Sequence, residues 1–282
     1  MPHIMELFGK TRVVVKDGKV VEVGEPVAEW CPVFSKVANV QKLTSLEAKK
    51  NMEYRIRELG MFTPQRRFDR GVFVNFGVSE IMMTALRRGL IDATVTVCDG
   101  AGTVITGDPQ LVQGMGALMS GLIETEPIPE IIDRIEEHGG VVLDKGNARI
   151  DQIWGLTKAC ELGYKNIAVS VVAHNEATKL RAIEKEQNVN LILIGAHLTG
   201  IGCDEALMFI REMDIVTGCA SRTLRDLIKP VLQAGTSVPM FAITQRGKEL
   251  LLERAKEVDS PLLINTSKLP VLPGHKQPRP LG

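Results

Sequence analysis

From about residue 127 the chain alternates between short apolar, β-branched runs and amphipathic segments, and this alternation restricts the fold more than any other feature. Helical periodicity is read over 129–138, 151–162, 176–187, 204–212, 221–232 and 245–258. Short apolar runs lie between them at 141–143, 167–172, 191–194, 215–217 and 238–243. Strands that alternate with helices predict right-handed crossovers and parallel pairing. The expected fold class is α/β, a mainly parallel, Rossmann-like sheet with helices on both faces.

The earlier part of the chain fits onto this frame. Two β-branched runs flank Asp17-Gly18, which predicts an N-terminal β-hairpin with a two-residue turn. Thr44 and Glu47 match a capping box, followed by a helical stripe of Met52, Ile56 and Leu59 that Gly60 ends. Residues 72–76 read as a strand, and Ser79 as the cap of a helix running to Arg88. Residues 93–97 read as a buried strand that stops at the small, polar turn Cys98-Asp99-Gly100-Ala101-Gly102-Thr103. Asp108-Pro109 opens another helix, with Asp as cap and Pro in the first turn. Gly114 and Gly116 within it are taken as close packing or flexibility. The expected organisation is an N-terminal hairpin and helix over 1–60 packed on an α/β domain over 61–259, with an extended, Pro-rich tail over 260–282.

Composition narrows the function classes. The 282 residues carry 34 basic and 34 acidic side chains, so the formal net charge is zero. A general nucleic-acid or anionic-membrane binder needs a basic excess, and with 4% aromatic residues base-stacking platforms are not expected either. The first residues lack a signal peptide's basic and apolar regions, and no apolar run reaches membrane-spanning length, so a cytoplasmic protein is expected. Five cysteines without a CxxC fit reduced thiols better than a disulfide framework.

In an open parallel sheet, ligands bind beyond the carboxyl ends of the strands. The residues expected there are Cys98 and Asp99 with Gly100, Gly102 and Thr103, then His174, His197, Cys219 and Ser221. Cys98, Asp99 and Cys219 are the candidate catalytic residues, and Gly100, Gly102, Thr103, His174, His197 and Ser221 the candidate ligand-binding ones. Cys31, Cys98 and Cys219 form a candidate thiolate set for an Fe–S cluster or another thiolate-bound metal. The competing possibilities are a reactive thiol at Cys203 or Cys219, where a helix N-terminus would lower the thiol pKa, with Cys98 or Cys219 as a nucleophile or sulfur carrier, and cysteines that are simply small buried apolar groups. The arginine-rich loop at 63–71 reads as a solvated surface, with an anion site as the alternative.

Several segments together resemble one family. They are GKTRVVVKDGKVVEVGEP with Cys31-Pro32, GMFTPQR, FGVSEIMMTALRRGLIDATVTVCDGAGTVI, DIVTGCAS and GTSVPMFAIT. They are similar to the methanogenesis marker protein 8 family, from about Glu6 to Val258. The resemblance implies an anaerobic, cytoplasmic setting and a link to methanogenesis or C1 metabolism. It carries over no catalytic residue.

The function expected from this is an enzyme or cofactor-maturation factor with a small-ligand or metal site at the sheet's carboxyl edge. Its partners would be a small-molecule ligand or a protein of C1 metabolism, with homo-oligomerisation open. Two other classes stay open: a non-catalytic assembly or regulatory protein, and a nucleotide- or SAM-dependent enzyme using the same edge.

Overall fold

The computed structural model of the protein describes residues 2–8, 10–69, 71–172 and 174–282, less the side chains of residues 37, 38, 174 and 175. In chain order the elements begin with β1 (His3–Leu7), β2 (Thr11–Lys16), β3 (Lys19–Val23), α1 (Pro32–Ala38), α2 (Ser45–Leu59) and α3 (Val78–Arg87). Next come β4 (Ala93–Cys98), β5 (Gly102–Thr106), α4 (Pro109–Gly116), β6 (Gly121–Glu124), α5 (Pro129–Glu137), β7 (Val141–Val142) and α6 (Gln152–Glu161). The last group is β8 (Asn166–Val171), α7 (His174–Gln187), β9 (Asn190–Gly195), α8 (Cys203–Glu212), β10 (Ile215–Thr217), α9 (Arg222–Leu227), β11 (Leu232–Ala234), β12 (Met240–Ala242) and α10 (Gln245–Ala255).

These strands form two sheets, one of order β3-β2-β1-β6 and one of order β11-β12-β10-β9-β8-β4-β5-β7. The first is antiparallel throughout. In the second, β4, β8, β9 and β10 pair in parallel, while β5 and β7 on one side and β11 and β12 on the other are antiparallel. The expected mainly parallel, Rossmann-like sheet is therefore corrected to an α/β fold with one antiparallel and one mixed sheet. The reason lies in the turn after β4. Gly100 and Gly102 adopt φ of +79° and +70°, conformations open to glycine. The chain thus reverses at once and β5 returns antiparallel, with Cys98 opposite Gly102.

Side-chain alternation along the central strands builds a core on each face. Leu191 and Leu193 of β9, with Ile167, Val169 and Val171 of β8, pack against Leu156 of α6, Leu180 of α7 and Phe209 of α8. Ala168, Ile192 and Ile194 point the other way, towards Ile81 and Met82 of α3 and Leu250 and Leu251 of α10. A separate core joins β1 and β2 to α2 through Met5, Leu7, Val13, Ala48, Met52 and Leu59.

Local chemistry sets the element ends. Asp17 and Gly18 have φ of 49° and 66°, as a two-residue hairpin turn demands. Thr44 accepts from Glu47 N at 3.2 Å, Asp108 from Gln110 N at 2.7 Å and Thr244 from Gly247 N at 3.1 Å. Three expectations are corrected. Residues 72–76 form no strand, because Phe73 N and Val74 N donate to the Glu80 carboxylate rather than to a neighbouring strand. Helix α3 is capped by Gly77, and the Ser79 hydroxyl donates to Glu80 instead. The helix expected over 221–232 stops at Leu227, as the extended bias before Pro230 favours, and the chain re-enters the sheet as β11. No helix of the described residues is long and apolar enough to cross a membrane.

Candidate functional site at the carboxyl ends of the parallel strands

A cavity of about 320 Å³ opens where β4, β8 and β9 end. Its floor is Thr96 and Val97 of β4, Ser170 of β8, and Val172, Ala196 and His197 just beyond β8 and β9. The start of α3, the 118–122 segment leading into β6, and Arg55 of α2 close its sides. The lining is mostly apolar, as in small-molecule sites, with a few convergent polar groups.

Helical spacing puts Arg55 inside. Ala48, Met52, Arg55 and Leu59 form the buried face of α2, so the guanidinium is only 2% exposed. It donates to Asn51 Oδ1 at 2.9 Å, Ser120 Oγ at 3.0 Å and the Leu118 carbonyl, with Met5 Sδ at 3.9 Å. All of these are neutral groups. Burial pushes the Arg55 pKa down to about 10, and the side chain stays cationic at neutral pH.

Three acids share the neighbourhood. Glu80 is buried and accepts from Phe73 N, Val74 N, Ser79 Oγ and Gln113 Nε2 at 2.9–3.3 Å. It therefore anchors the 73–74 loop over the cavity. Burial, with repulsion from Asp151, pushes the Glu176 carboxyl up, towards the neutral form that can donate a proton. Glu6 of β1 lies 2.5 Å from His197 Nε2, and this hydrogen bond holds its carboxyl below the usual range against the effect of burial. His197 has φ of 56°, and a Cβ on Gly121 would lie 2.5 Å from its ring. The ring is thus fixed from both sides. A hydrogen-bond run from Thr96 Oγ1 through Ser170 to Gln152 completes the floor.

The turn at 98–103 stands outside this cavity and is occupied by its own protein. Asp99 is fully buried and accepts from Phe62 N at 2.7 Å and Arg66 Nε at 2.9 Å. Arg66, which the sequence suggested was solvated, is equally buried and also donates to the carbonyls of Arg67, Gly114 and Met115. Arg67 is exposed and pairs with Asp69, and Arg70 lies outside the described residues. Gly100 N donates to Thr125 Oγ1, while Thr103 Oγ1 binds Gln152 and Asp151 N. A Cβ on Gly102 would lie 2.1 Å from Ala148 O, and one on Gly114 2.2 Å from Phe68 O. Both glycines are close-packing positions. Burial, followed by the charge of Asp99, raises the Cys98 thiol well above its ordinary pKa.

The structure brings Cys31 and Cys219 together around Arg225, and leaves Cys98 in the Asp99–Arg66 cluster. Cys219 has φ of 33° and its Sγ lies 3.1 Å from Thr217 Oγ1. Arg225 donates to the Cys219 carbonyl and to Gln277. The tail crosses the pair, with Arg279 bridged to Trp30 and Gly282 hydrogen-bonded to Ala220. Ser221 is buried and caps α9 by accepting from Leu224 N. The His174 side chain lies outside the described residues. Among those residues, no three His, Cys, Asp or Glu side chains gather in a metal-holding group.

Of the residues expected at the sheet edge, His197 lines the cavity. Arg55, Glu80, Glu176 and Glu6 were missed. For Arg55 the available signal was its i+3 spacing from Met52, which places it on the buried stripe beside Leu59.

This is an α/β protein with a mixed sheet and a mostly apolar cavity, with a few charged groups in its wall, at its parallel centre. The chain belongs to the archaeal family described as "Uncharacterized protein conserved in archaea (DUF2099)", which it matches over residues 3–256. It is 46% identical over 282 residues to an uncharacterised protein of Methanocaldococcus jannaschii, with 99% of each chain covered.

Proposed function

We propose that the protein is a cytoplasmic enzyme or cofactor-maturation factor that binds a small organic ligand in the cavity at the ends of β4, β8 and β9. The observation that carries this reading is the cavity itself. Its volume of about 320 Å³ suits a small molecule, and its wall brings Arg55, Glu176 and His197 to one space. Glu176, held towards its protonated form, would act as proton donor, and His197, oriented by Glu6, as proton acceptor. The methanogen setting and the link to C1 metabolism rest on the resemblance to methanogenesis marker protein 8 and on the relative in Methanocaldococcus jannaschii.

Filling the cavity tests this. Ala196→Phe puts an aromatic ring into the floor. A panel of four- to eight-carbon organic molecules is expected to raise the melting temperature of the wild-type protein and to leave Ala196→Phe unmoved, since a ligand of the folded state must stabilise it. Equal shifts in both proteins would remove the cavity as the binding site.

A second reading is favoured by Cys31 and Cys219 lying near one another and near Arg225, which donates to the Cys219 carbonyl. Under it the two thiols hold a metal or react as a pair, and Cys98 contributes nothing. Anaerobic purification with iron, zinc and sulfide assays tests it. Metal that is lost in Cys31→Ser and Cys219→Ser but kept in Cys98→Ser would support it, and metal-free protein would reject metal binding.

A further inference from the structure

Arg55 is the most unusual group in the cavity wall. An arginine this deeply enclosed is normally met by a carboxylate, because a buried cation without a counter-charge is unfavourable. Here every described partner is neutral: an amide oxygen, a backbone carbonyl, a hydroxyl and a thioether. Those bonds use Nε and Nη1, and none of the bonds among the described residues uses Nη2. Of the three acids nearby, Glu80 is committed to the 73–74 backbone and Gln113, and Glu6 to His197, while Glu176 lines the same cavity and makes no ion pair with Arg55 among the described residues. The guanidinium, whose fork suits carboxylates and phosphates, is thus held in place with Nη2 unused among the described residues.

The rest of the lining defines the other end of the ligand. Phe34, Phe73, Val78, Met82, Leu122 and Ile150 give it an apolar body. We infer that the cavity takes a small organic oxyanion, with a carboxylate or phosphate on Arg55 and an apolar body against the remaining wall. This deepens the ligand-cavity reading above and rests on it.

The test compares three six-carbon probes by titration calorimetry: hexanoate, hexyl phosphate and the neutral 1-hexanol. Wild-type protein is expected to bind at least one of the anions ten-fold or more tighter than 1-hexanol, and the better anion tells carboxylate from phosphate. Arg55→Met is expected to abolish that preference while 1-hexanol binding persists, and Arg55→Lys to retain part of it. If Arg55→Met does not fold, the wild-type contrast still decides. 1-Hexanol binding as tightly as both anions would overturn the oxyanion inference and leave the ligand cavity standing. Binding of none of the three probes would overturn the inference. If the wider panel also fails to shift melting, the cavity reading falls with it.

Discussion

Arg66 and Arg55 are both enclosed arginines, but they sit in regions of opposite character. Arg66 meets Asp99 at 2.9 Å and three carbonyls, and Asp99 takes a backbone N–H as well. Each charge in that cluster has its counterpart within the protein. Arg55 lies against neutral groups in the wall of a cavity. The difference teaches where to look for function. Polar groups that close on one another hold the turn, loop and helix together, and a polar group left with unused capacity beside open space is free to meet something else.

The largest effect that would sharpen this contrast is expected at the turn. Asp99→Ala leaves the Arg66 cation buried without its partner, and should cost about 3–5 kcal/mol of stability in urea unfolding. A loss below about 1 kcal/mol would mean the pair does not hold the 60–67 loop to the sheet. Gly102→Ala comes next. Its Cβ would meet Ala148 O at 2.1 Å with the backbone at φ +70°, for a loss of about 1–3 kcal/mol. Thermal melts of that variant beside Gly89→Ala, where nothing lies within 4 Å and φ is also positive, separate the collision from the strain. Arg55→Met should cost less than about 2 kcal/mol, because the lost hydrogen bonds are offset by removal of a buried, uncompensated charge. If it destabilised as much as Asp99→Ala, Arg55 would belong with the structural cluster.

The smallest effect concerns Glu6. Hydrogen bonding to His197 holds its folded pKa below its ordinary value. The folded state therefore binds fewer protons there than the unfolded state does between the two values. The contribution is fully present above the unfolded value of about 4.3 and is lost as pH falls through the lower folded value. Unfolding measured from pH 6 to pH 3 should show a slightly shallower acid loss in Glu6→Gln than in the wild type. Identical acid limbs would mean that the His197 contact adds nothing.

The hairpin at Asp17-Gly18 and the caps at Thr44 and Asp108 were legible because each rests on local chemistry. The helices on both faces were legible from periodicity. Sheet direction was not. Apolar runs marked β7, β10 and β12, but strands of two or three residues carry no sign of their direction, and β11, which pairs antiparallel with β12, begins where the expected 221–232 helix was to end. β1 and β6 pair across more than a hundred residues. The Cys98–Thr103 turn drew attention because small polar residues after a strand suit a ligand loop as well as a tight reversal, and only its partners distinguish the two. Arg55 went unread because an arginine counts against burial by type, while its spacing placed it on the buried stripe.

The most direct test of the account is binding of the better anion, hexanoate or hexyl phosphate, measured on three proteins: wild type, Cys98→Ser and Ala196→Phe. Cys98→Ser is expected to bind as the wild type does and Ala196→Phe to lose binding at least ten-fold. Binding lost in Cys98→Ser and kept in Ala196→Phe would place the ligand at the turn and contradict the account.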